Sequence, residues 1–137
     1  MPIPDALRVK LDDLSMLTDR ADRIEVLLAI GDEYKNYSAD LVPRTPETRV
    51  PGCESEVFFR AEPLATGQRY LFAVDNPQGV SAMALAVILE AVSGAPLDEV
   101  ASISEDVVYE IFGRELSMGK SMGLTAMVRM LRDAAKQ

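Results

Sequence analysis

Glu56-Val57-Phe58-Phe59-Arg60-Ala61-Glu62, then Thr66-Gly67, then Arg69-Tyr70-Leu71-Phe72-Ala73-Val74-Asp75 read as two strands joined by a turn. In the first run Val57, Phe59 and Ala61 fall on one face and Phe58 and Arg60 on the other. In the second, Tyr70, Phe72 and Val74 alternate with their neighbours. Strand side chains point to opposite faces with a period of two, so this pattern predicts a hairpin with an apolar face that needs cover. Two strands are marginal alone, and a third is expected near residues 49–52.

Helices supply the cover. Asn76-Pro77 is a cap followed by a residue pre-set for a first turn, which predicts a helix running to about Ser93 and stopped by Gly94. Val80, Met83, Ala84, Val87, Ile88 and Ala91 form one stripe, and Ala82, Leu85, Ala86 and Leu89 occupy the other side. A helix apolar all round belongs in the interior. Short helical pieces are predicted at 96–101 and, capped by Ser104, at 105–112 before Gly113. A last helix spans about 120–135, with Leu124, Met127, Val128, Leu131 and Ala135 inward. The methionine series Met118, Met122, Met127 and Met130 reads as core filling.

On the N-terminal side, a helix is expected from about Pro4 to Met16. A second, capped by Thr18 or Asp19, should bury Ile24, Leu27, Leu28, Gly31 and Tyr34 and fade near Tyr37. Residues 41–52, punctuated by Pro43, Pro46 and Pro51, read as an irregular loop ending at Cys53. Helices, a small antiparallel sheet, then helices make an α+β fold, and 137 residues fit a single domain over 1–137.

Composition narrows the function. With 14 Lys+Arg against 22 Asp+Glu, the net charge of −8 lacks the basic footprint that nucleic acids or anionic membrane surfaces require. The N-terminal residues 1–17 carry charges every few positions and no apolar signal-peptide core, so a cytoplasmic protein is expected. The chain has one Cys and no His. An intramolecular disulfide, a Cys/His metal site and a His-based catalytic pair are therefore excluded within the chain, and no cofactor is expected. Carboxylate chemistry or a lone thiol remains. A lone Cys is most often a small buried hydrophobe, but Cys53 follows Val50-Pro51-Gly52 and lies outside any apolar stripe.

The run Arg49-Val50-Pro51-Gly52-Cys53-Glu54-Ser55-Glu56-Val57-Phe58 resembles the Gly-Cys-Gln-Ser-Gln-Val-Trp-like signature of the SufE family. Leu116-Ser117-Met118-Gly119-Lys120-Ser121-Met122-Gly123-Leu124, followed by Met127, is similar to that family's Leu-Ser/Thr-Pro-Ser-Arg-x-x-Gly-Leu segment. Residues 75–89 are similar to its Asp-led central helix, so the likeness runs through nearly the whole chain in order. Glu54 and Glu56 stand where the family has Gln, Phe58 replaces its Trp, and Lys120 replaces its Arg.

The resemblance implies a fold like that of SufE and the IscU scaffolds. It implies a protein without turnover of its own, whose Cys53 accepts persulfide sulfur from a PLP-dependent cysteine desulfurase of the SufS or CsdA type. Such a protein stimulates that enzyme and passes sulfur to an iron–sulfur assembly scaffold. Gly52, Glu54, Ser55, Asp75 and Lys120 are the supporting or partner-contact candidates. A regulatory module that carries no sulfur and a thiol redox sensor are the competing readings. The chemistry is that of thiol–disulfide exchange, in which one thiol suffices. Val50, Val57 and Phe58 beside Cys53 are expected to cover it, and Glu54 and Glu56 to add negative charge, both raising the thiol pKa.

Overall fold

The computed structural model describes residues 2–114 and 116–136. Two strands pair antiparallel, β1 (Glu56–Pro63) and β2 (Gln68–Asp75), with Phe59 opposite Phe72 and Glu56 opposite Asp75. The expected third strand is reduced to one bridge, Arg49 to Phe58, flanked by Val50 N donating to Val57 O and Phe59 N to Thr48 O. Pro46 and Pro51, to either side of this bridge, cannot donate to a ladder.

Helices α1 (Asp5–Ser15) and α2 (Arg20–Asp32) precede the sheet, and α3 (Ser81–Glu90), α4 (Leu97–Ala101), α5 (Val107–Phe112) and α6 (Met118–Ala135) follow it. Phe59, Tyr70, Phe72 and Val74 on one face of the hairpin join Leu85, Ile88 and Leu89 of α3 and Met127 and Leu131 of α6 in the main core. The other face carries a smaller cluster of Phe58, Leu71 and Ala73, closed by Val42 from the long loop. The guanidinium groups of Arg44 and Arg49 lie 5.7 and 5.8 Å from the centre of the Phe58 ring.

Helix α3 begins later than Asn76-Pro77 predicts. Asn76 takes a left-handed conformation at φ 45° and spends its side-chain amide on Glu56, and Gly79 at φ 99° breaks the turn again. The chain becomes helical only from Ser81. Helix α2 is rotated from the expected face: Leu27, Ile30 and Gly31 are buried, while Ile24 and Leu28 are exposed. Its seam follows Gly31, where a Cβ would lie 2.2 Å from Val80 Cγ2. The helix ends at Asp32, short of Tyr37.

The edge of β2 facing away from β1 is covered by side chains. Tyr70 N donates to Ser93 Oγ (3.0 Å), Phe72 N to Glu90 Oε2 (2.8 Å), and Val74 N to Tyr34 Oη (2.9 Å) and Asn36 Oδ1 (3.0 Å). Such pairing satisfies the edge amides and blocks addition of another strand.

Candidate functional site

Cys53 sits where the loop between α2 and β1 enters the sheet, and two elements distant in sequence hold it there. Ser55, buried two residues on, accepts a hydrogen bond from Gln78 N at 2.7 Å, which ties the loop to the turn before α3. On the other side the loop lies against the first half of α6. A Cβ placed on Gly123 would come within 2.6 Å of Cys53 Cα and 2.8 Å of its Sγ. Gly52 takes the left-handed conformation at φ 77°, which turns the chain into this contact.

The thiol is half-buried and free, and it packs against the main core. It opens onto a cavity of about 30 Å³ lined by Glu54, Ser55, Gln78, Ala82, Lys120 and Leu124, among others. Burial pushes the Cys53 pKa up to about 11, with the Arg49 guanidinium pulling weakly the other way. The expected direction is therefore found with one of its two expected causes, burial; the other fails, since the neighbouring glutamates are not among its sources. The cover also differs from the expected one. Val50 and Val57 belong to the core on which Cys53 packs, but Phe58 points into the smaller cluster on the opposite face. Ala82 and Leu124, far from Cys53 in sequence, close the cavity in its place. Among the described residues the thiol makes no hydrogen bond, and no cluster of three or more His, Cys, Asp or Glu could hold a metal ion.

The candidates sort by this geometry. Glu54, Ser55 and Lys120 line the same cavity as Cys53, so the structure brings the two ends of the sequence motif pair together. Lys120 is exposed, its amide donating to the cap of α6 at Ser117 Oγ, and its Nζ reaches the surface of Gly79. Asp75 stands apart. It accepts from Arg44 Nε (3.0 Å) and Nη2 (3.1 Å) and from Asn36 Nδ2 (2.9 Å), and these partners hold its carboxyl below the usual range. Arg44 also donates to the carbonyls of Tyr37 and Val42, so Asp75 anchors the loop that leads to the thiol.

The profile of the SufE family, described as an Fe–S metabolism associated domain, matches residues 9–135. The chain belongs to the SufE family. An uncharacterized SufE-like protein from Rhizobium etli is 29% identical over 133 residues, covering 92% of this chain and 86% of that protein. The solution structure of a hypothetical protein from Thermus thermophilus superposes with a TM-score of 0.72 at 19% identity, over 98% of this chain and 96% of that one. That likeness supports the α+β fold.

Within this SufE fold, two features escaped sequence reasoning. The methionines divide: Met127 is fully buried, but Met118 and Met122 are exposed and do not fill the core, and Met122 lies against Gly52 in the Cys53 loop. Glu90 is held among the apolar residues of α3, accepting from Phe72 N and from the Tyr37 hydroxyl at 3.1 Å. Burial raises its pKa. As the one charged residue in Ser81–Glu90, it was the available signal. No described helix is long and apolar enough to cross a membrane.

Proposed function

We propose that Cys53 accepts sulfur as a persulfide from a PLP-dependent cysteine desulfurase in the cytoplasm, stimulates that enzyme, and delivers the sulfur to an iron–sulfur scaffold without turnover of its own. Membership of a family associated with Fe–S metabolism supports the pathway. The observation that carries the step is the half-buried thiol facing a cavity of about 30 Å³, above the roughly 10–15 Å³ that a single water needs, which leaves room for one added sulfur atom.

In the transfer, the Cys53 thiolate attacks the outer sulfur of the donor persulfide. A new S–S bond forms on Cys53, the donor's S–S bond breaks, and the donor departs as its thiolate. The Cys53 proton is lost to solvent before attack, which burial disfavours in the free protein. Docking that lifts the loop restores access to water and lowers this cost. Lys120 at the cavity rim offers a positive charge to the sulfur anion, and the exposed Met118 and Met122 offer polarizable apolar contact to the donor.

Intact mass after incubation with a desulfurase, PLP and free cysteine tests the reading. The wild type should gain about one sulfur mass, removable by reductant, and folded Cys53→Ser should gain none. An adduct on the serine variant, or none on the wild type across several desulfurases, would reject it.

A further inference from the structure

We propose that Gly123 is a positioning residue whose missing side chain is the seat of the Cys53 loop, and that this seating is what keeps the thiol unreactive until a partner lifts it. The proposal deepens the sulfur-acceptor reading and rests on it for its biological meaning. Gly123 lies inside α6. Glycine is a poor helix former, and nothing in a regular helical conformation calls for it. The reason is space. Besides its approaches to Cys53 Cα and Sγ, a Cβ at Gly123 would stand 3.0 Å from Gly52 O. Two of those three atoms are backbone and cannot swing aside, so any side chain here must lift the loop off the helix.

Gly119, one turn earlier on α6, makes the contrast. A Cβ there would meet only Glu54 Oε1, at 3.3 Å, the free end of a flexible and exposed side chain. The same substitution on the same helix thus displaces the loop in one case and a carboxylate in the other. Ser55 is the second anchor of the seat, through its bond from Gln78 N.

The test is the rate of Cys53 alkylation by iodoacetamide against pH in the free protein, with folding of each variant checked by circular dichroism and melting. It needs no desulfurase, so it can fail while sulfur loading succeeds, and the reverse. Gly123→Ala should raise the rate at neutral pH by roughly tenfold or more and move the midpoint of the pH profile down, since each pKa unit lost gives about ten times more thiolate. Gly119→Ala should leave both at wild type. Ser55→Ala, which frees the loop's other anchor without adding an atom, should give a smaller rise and carries the test if Gly123→Ala does not fold. A wild-type rate and midpoint in the folded Gly123→Ala or, failing that, in Ser55→Ala would overturn the proposal. So would an equal rise in Gly119→Ala.

Discussion

Cys53 and Glu90 are both ionisable groups half withdrawn from water, yet their surroundings differ in kind. Each oxygen of Glu90 has a donor, from Phe72 N on one side and the Tyr37 hydroxyl on the other. Cys53 has apolar contact and a small cavity, with no hydrogen bond among the described residues. Burial raises both pKa values, but only Glu90 has hydrogen bonds opposing the rise. A group satisfied in place is structural, since it closes the open edge of β2. A group left unsatisfied gains from leaving, and that bias suits the proposed role of a thiol that meets a partner.

The largest effect expected from breaking this contrast is functional. Cys53→Ser should remain folded and lose all sulfur uptake, because no other thiol exists in the chain. Next comes Glu90→Ala, which orphans the Phe72 amide and takes away the acceptor of the Tyr37 hydroxyl. It should lower stability by about 2–3 kcal/mol in urea unfolding and leave Cys53 alkylation unchanged. Glu90 also sets a pH signature. Its folded pKa is raised, so its stabilising share is complete below the ordinary Glu value and is lost as pH rises through the folded one. Glu90→Gln, which does not titrate, should therefore gain on the wild type as pH rises across that window. A difference that stays flat with pH would contradict this.

Smaller effects sharpen the comparison. Lys120→Ala should slow sulfur transfer several-fold with little change in melting, and Lys120→Arg should match or exceed wild type. Equal rates in all three would make Lys120 a solvated bystander. Tyr70 offers a second unsatisfied group: its hydroxyl is buried with no hydrogen-bond partner among the described residues. Tyr70→Phe removes a desolvated hydroxyl and leaves nothing orphaned, so a gain of about 1 kcal/mol is expected in urea unfolding. A loss of that size would reveal a partner for it.

The legible parts of the fold were those governed by a single local period. The hairpin follows from alternation at Val57–Ala61 and Tyr70–Val74, and the inward face of α6 from Leu124, Met127, Val128 and Leu131, all of which are buried. Reading failed where a distant contact outweighed the local signal. Asn76-Pro77 looks like a helix start, but Glu56 claims the Asn76 amide. Ile24 and Leu28 look like core, but α2 turns toward Val80 along Gly31 and leaves them in solvent.

The site divides in the same way. Cys53 was legible from elimination and from the motif around it. Its burial against Ala82, Gly123 and Leu124 was not, because those residues meet it only through the packing of α3 and α6. Asp75 reads as a helix-leading acid in sequence, and its partner Arg44 lies in a loop that carries no periodic pattern.

The most direct measurement of the account is titration of the Cys53 thiolate in the free wild-type protein, followed by its ultraviolet absorbance, with Cys53→Ser as the blank. A midpoint near 11, well above that of an ordinary thiol, is the expected result. A midpoint at or below about 8.5 would contradict it, since the thiol would then ionise at least as readily as a free cysteine without any partner to release it.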